Sequence, residues 1–137
     1  MSPQFEIARH RLQVARDTLQ EADVLIAANR WRGALNRLYY ASFYAARALL
    51  ATRDLDSARH SGVIALFQQH FVKTDFVPSA IGKTLPRAFE ARQTSDYADV
   101  ADLSQDDVRQ LRTEIVAFIA VCERVVGQLM AADENHS

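Results

Sequence analysis

Apolar residues in the first segment step by three and four without a miss: Phe5, Ala8, Leu12, Ala15, Leu19, Ala22 and Ile26. This a/d spacing predicts an amphipathic helix that opens at Pro3 and spans about 3–28, with Arg9, Arg16, Asp17, Glu21 and Asp23 off the seam. Asn29 and Arg30 break the pattern. The stretch 31–52 predicts a second helix that is apolar over most of its circumference. Leu35, Leu38, Ser42, Ala45 and Leu49 recur at helical spacing, with Tyr39, Phe43, Ala46 and Leu50 beside them. A helix of this kind belongs in the middle of a bundle, and the alanines at 34, 41, 45, 46 and 48 let its neighbours approach closely. One narrow stripe departs from the pattern. Arg37, Tyr40, Tyr44 and Arg47 share a face. Guanidiniums and phenols on a core helix are costly to bury without partners. The stripe is therefore either an internal hydrogen-bond and ion-pair network or one wall of an anion-binding or subunit-contact groove.

The segment 53–60 reads as a polar loop. Ser61 is placed to cap a third helix over 61–72, with Val63, Ile64, Phe67 and Phe71 inward. A turn at 73–77 follows, and Pro78 suits the first position of a fourth helix. There Ile81, Leu85, Ala88 and Arg92 share a stripe, with Phe89 beside it. Pro86 inside that pattern predicts a kink, or a helix start nearer 84. At the last helix Ser104 is a cap, Asp107 stands three residues on, and Leu103 can staple onto Val108. Its seam is Val108, Leu111, Ile115, Phe118, Cys122, Val125 and Leu129, and the tail ADENHS is expected to fray. The pattern as a whole predicts an all-α protein: an up-and-down four- or five-helix bundle, one domain over 1–137 with its core at about 4–130. The first and last helices should pack against each other or across the central one.

Composition narrows the function. The chain's 137 residues suit one domain with a real core. A net charge of -1 means that any nucleic-acid contact needs a local basic patch. The single cysteine excludes an intrachain disulfide and fits a cytoplasmic setting; in the last-helix stripe it reads as core filler. No apolar run approaches the ~18–20 residues of a membrane span, so no membrane contact is expected. There is no glycine-rich phosphate loop, no CxxC and no His pair at metal spacing, so neither metal nor cofactor is expected.

Two residues stand out chemically. His60 follows Arg59 at the mouth of a helix, where anions are attracted and a histidine pKa falls; it either orders the loop or belongs to a site. Arg92 continues the inward stripe Ile81–Leu85–Ala88, with Asp96 four residues on. That pair is either a structural tie or a guanidinium held ready for phosphate.

The segments NRLYYASFYAARALL, RHSGVIALFQQHFVKT and EARQTSDYAD, in this order and spacing, resemble the HEPN superfamily (higher eukaryotes and prokaryotes nucleotide-binding), nearest its small stand-alone bacterial and archaeal branch. The resemblance spans about 29–129. It implies a helical bundle that forms a homodimer, and frequent pairing with a minimal nucleotidyltransferase as a toxin–antitoxin or defence pair. In many members it implies metal-independent RNase activity through an Arg followed after four to six residues by a His. Arg92 matches that Arg, but after a four-residue gap the His slot holds Tyr97. Two residues further, where some relatives carry a tyrosine that the partner modifies with AMP, stands Asp99.

The departure matters because metal-independent RNA cleavage needs a base for the 2′-OH, an acid for the leaving oxygen and a cation for the developing charge. Histidine titrates near neutrality and tyrosine near ~10, so Tyr97 is a poor base at pH 7. His60 replaces the imidazole only if the fold brings it to Arg92. The leading expectation is a non-enzymatic or weakly active dimeric partner of a nucleotidyltransferase. Its nucleotide- or RNA-binding groove would comprise Arg37, Tyr40, His60, Arg92, Asp96 and Tyr97. A second expectation is an RNase toxin using Arg92 with His60 or Tyr97. A third is a helical interaction module in which all these residues are structural.

Overall fold

The computed structural model describes residues 2–97 and 104–135, with the side chains of 95–97 outside the description. Helix α1 (Pro3–Ala27) buries Phe5, Ala8, Ala15, Leu19, Ala22 and Ile26 as the spacing predicts, while Leu12 is half-buried. It stops because Asn29 turns into the left-handed region at φ 59°, where the Asn29 N–H donates to Ile26 O at 3.0 Å and the Arg30 N–H to Leu25 O at 2.8 Å. That closes the last turn's carbonyls, and asparagine tolerates the conformation better than most residues. Helix α2 (Trp31–Ala51) follows at once and is the hub, packed against α1 and against the helices that close the chain. From Asn36 onward only Asn36, Arg37, Tyr40, Tyr44 and Arg47 escape full burial, so the polar stripe is the single open strip of this helix.

The middle of the chain departs from the expected boundaries. Helix α3 (His60–Phe67) begins at His60, with Arg59 in the cap position, so Ser61 lies inside the helix and caps nothing. Ser57 Oγ accepts from the Arg59 N–H at 3.2 Å instead. The helix then widens into a π turn, Gln68–Val72, which keeps Phe71 buried beside Val63 and Phe67. Ile64, expected inward, is half-buried. The expected fourth helix is two. Pro78 caps a single turn, α4 (Ser79–Gly82), and α5 (Thr84–Tyr97) starts afresh. Pro86 then falls in the first turn of α5, where its missing N–H costs nothing, so the start near 84 holds rather than a kink.

Helix α6 (Gln105–Asn135) is capped as predicted, with Ser104 Oγ accepting from the N–H groups of Asp106 and Asp107 at 3.1 and 3.4 Å. Its seam is buried from Val108 to Val125, joined by Ile119 and Val126. Cys122 is fully enclosed, and burial pushes its thiol pKa up. The helix continues to Asn135, so the tail expected to fray is helical up to that point. Among the described residues α6 is long and apolar enough, by length and composition, to cross a membrane, which the sequence reading did not anticipate. One flank is tied to α1: Arg16 Nε donates to Glu123 at 3.0 Å, and Arg112 Nη2 to Asp23 at 3.0 Å. The described residues thus form five helices and one short turn without strands, an all-α bundle.

Candidate functional site

On the opposite flank of α2, its polar strip meets the start of α3 and the middle of α5. Helical spacing puts Tyr39 on the buried side and Tyr40 on the open side, so two adjacent phenols straddle the boundary. Ring stacking fixes what lies between them. His60 stacks on Phe43 with centroids 4.5 Å apart and on Tyr39 at 5.7 Å, and it stands edge-on to Tyr40 at 5.7 Å. Phe89 of α5 closes the far side, 5.6 Å from Tyr39.

Arg92, one turn beyond Phe89, brings its guanidinium to 4.9 Å from the centre of the Tyr39 ring, 5.5 Å from Tyr40 and 5.9 Å from Phe89. Its Nη1 donates to the Tyr40 hydroxyl at 3.0 Å. Ring faces are electron-rich, so three of them seat a cation in a half-buried place. Arg37 lies at the edge, with its guanidinium 5.1 Å from the Tyr40 ring, hydrogen bonds to Asn36 Oδ1 and Glu21 at 3.8 Å. Arg37, Tyr40, His60 and Arg92 are therefore joined through one ring, Tyr40. The side chains of Asp96 and Tyr97 lie outside the described residues.

The electrostatics follow from this packing. The hydroxyl of Tyr39 and Nδ1 of His60 are 2.7 Å apart. His60 titrates below the ordinary histidine range, first because burial disfavours the imidazolium, then because Arg92 and Arg47 are already positive. Burial pushes the Tyr39 phenol upward, against the pull of Arg92 and with a further push from Tyr40, so it stays protonated. A neutral imidazole and a fixed guanidinium on neighbouring rings can donate to or polarise a phosphate oxygen.

The remaining cation of the stripe faces the loop before α3. Arg47 Nη2 donates to Asp56 at 3.0 Å, and Arg11 of α1 approaches the same carboxylate at 3.7 Å while its Nη1 donates to Arg47 O at 3.1 Å. Asp56 is held below the usual carboxylate range: burial alone would raise it, but bonds from Arg47 and the Ser57 N–H, and the charges of both arginines, outweigh that. An open hollow of about 560 Å³ lies here, lined by Phe43, Arg47, Asp56, Ser57, Ala58 and His60. Gly62 lets the Ser57 side chain pack against the first turn of α3, because a Cβ there would stand 2.0 Å from Ser57 Oγ.

Sequence reasoning passed over Tyr39 and Gly62. Tyr39 looked like one more apolar neighbour of the seam, and only its tertiary partner reveals its hydroxyl's role. The cue for Gly62 was its place directly after His60 and Ser61.

Comparison with known proteins decides the family. The HEPN domain model matches residues 8–125. The chain belongs to the HEPN family. It is 34% identical over 132 residues to a UPF0332 protein of Thermotoga maritima, covering 96% of this chain and all of that one. A Gloeobacter violaceus UPF0332 protein is 33% identical over 83% of this chain and 91% of its own length. A Methanocaldococcus jannaschii protein named as a candidate toxin is 33% identical over 63% of this chain and 64% of its own.

Proposed function

We propose that this HEPN chain is a toxin-type protein. It acts as the dimeric partner of a minimal nucleotidyltransferase and binds a nucleotide or RNA phosphate in the groove formed by Arg92, Tyr40 and His60. The observation that carries the reading is the seat of Arg92. Three ring faces and the Tyr40 hydroxyl orient its guanidinium beside a histidine that burial keeps neutral. The candidate toxins among the relatives support the toxin class.

A second reading, a metal-independent RNase, gains support from the fact that His60 and Arg92 share the rings of Tyr39 and Tyr40. The two readings separate in one assay. Purified protein is incubated with mixed-sequence RNA in EDTA beside His60→Ala, Arg92→Ala and Tyr97→Phe. The leading reading expects slow cleavage at most from all four. Rapid cleavage lost in His60→Ala and Arg92→Ala but kept in Tyr97→Phe would install the RNase with His60 as its imidazole. Loss in Arg92→Ala and Tyr97→Phe alone would give that role to Tyr97.

A further inference from the structure

The 2.7 Å contact between the Tyr39 hydroxyl and His60 Nδ1 has two possible proton arrangements. Tyr39 is fully buried, and among the described residues its hydroxyl has no other acceptor. If Nδ1–H donated, the phenol's own proton would be stranded in the core, and buried donors are rarely left so. Tyr39 therefore donates to Nδ1, and the proton of the neutral imidazole sits on Nε2. His60 lines the hollow beside Phe43, and Nε2 is the ring's polar atom not engaged by Tyr39. Arg47 lines the same hollow. Its Nη2 is committed to Asp56, while its Nε is enclosed without an acceptor among the described residues. Ser57 Oγ accepts from the Arg59 N–H, so its own proton is free to be donated. Asp56 is the one carboxylate in the lining, and the guanidiniums of Arg47 and Arg11 share it, which leaves the corner net positive.

We infer that this hollow is a second oxyanion subsite, on the Arg47 side of the His60 ring that it shares with the Arg92 groove, in which His60 Nε2–H, Arg47 and the Ser57 hydroxyl bind a phosphate group. Tyr39 acts as a positioning residue that holds His60 in its donor tautomer. The phosphate class of the ligand rests on the reading of the neighbouring groove; the subsite itself rests on the donors of the hollow.

The test is a titration of the full-length, nitrogen-15-labelled protein with inorganic phosphate at neutral pH. Ionic strength is held with chloride, and the histidine ring signals are followed by long-range proton–nitrogen correlation. The expected result is a His60 pattern with the proton on Nε2 and saturable phosphate-induced shifts of that ring. Arg47→Gln should weaken binding on the order of tenfold, the worth of one charge-assisted hydrogen bond. Ser57→Ala, which leaves the Arg47–Asp56 pair in place, should weaken it by about threefold. Arg92→Gln should weaken the phosphate response of His60 less than Arg47→Gln does, and Arg16→Gln, between α1 and α6, should leave it within about twofold. Tyr39→Phe should convert His60 to mixed tautomers and weaken phosphate binding.

A wild-type ring protonated on Nδ1, or no phosphate shift at His60, would overturn the subsite. So would undiminished binding by Arg47→Gln and Ser57→Ala together. Loss of the response in Arg92→Gln alone would overturn the subsite while leaving the Arg92 groove standing.

Discussion

The two flanks of α2 use arginine in opposite ways. Between α1 and α6, Arg16 meets Glu123 and Arg112 meets Asp23, each guanidinium facing one carboxylate across a helix pair. Between α2, α3 and α5, Arg92 rests on the rings of Tyr39, Tyr40 and Phe89 and donates to a phenol, while beside them Arg11 of α1 and Arg47 of α2 share Asp56 of the loop before α3. A cation matched to a carboxylate on a half-exposed flank fixes helix register and contributes little else. A cation seated on rings keeps its donors in a fixed plane, and two cations on one carboxylate leave positive charge for a ligand. The first flank is the bundle's fastening; the second is where the proposed chemistry sits.

The largest effect should come from the shared core rather than from either flank. Phe118 is fully buried and stands edge-on to Phe67 at 5.5 Å. Phe118→Ala should cost about 3–5 kcal/mol in denaturant unfolding. If it cost as little as a surface pair, α6 would not be part of the core that presents the site.

Arg92→Ala sharpens the contrast. It removes a hydrogen bond and the contacts with three ring faces, so a loss of about 1–2 kcal/mol is expected, together with loss of RNA binding. Arg16→Ala should cost about 0.5–1 kcal/mol and leave binding alone, since its side chain and that of Glu123 are 37% and 36% exposed. Unfolding curves beside binding curves distinguish the two behaviours. Arg16→Ala weakening RNA binding as much as Arg92→Ala would erase the distinction between the flanks.

The ends of the chain were legible because their information is local. The seams of α1 and α6 and the Ser104 cap depend on residues three and four apart. The middle was less so. The π turn after Phe67 depends on what Val63 and Phe71 pack against, which spacing does not encode, whereas the fresh start near 84 was legible from Pro86. The site divides the same way. Tyr40, His60 and Arg92 were legible as polar residues in unusual positions. Tyr39 was not, because its sequence signal is that of a core aromatic and its proposed role lies in a hydroxyl that meets His60 across 21 residues. Ser61 misled because its position suits a cap, whereas Ser57, brought against Gly62, takes the Arg59 N–H.

The smallest expected effect is a pH dependence. The folded-state pKa of His60 is depressed, so the unfolded chain binds its proton first as pH falls. The stability this represents is complete above the unfolded value of about 6.5 and is lost as pH falls from there through the lower folded value. Thermal melts between pH 7.5 and 5.5 should show a fall in Tm that is reduced, on the order of a degree or two, in His60→Gln. An identical pH profile in the two proteins would mean that the rings and cations around His60 do not shift its titration.

The most direct test of the central claim is the affinity of a labelled mixed-sequence oligoribonucleotide, measured in EDTA, for wild type, Arg92→Ala and Arg16→Ala. If the ring-seated cation is the functional one, Arg92→Ala should raise Kd by about tenfold or more while Arg16→Ala stays within about twofold of wild type. Equal affinities for wild type and Arg92→Ala, or no binding by the wild-type protein, would contradict the account.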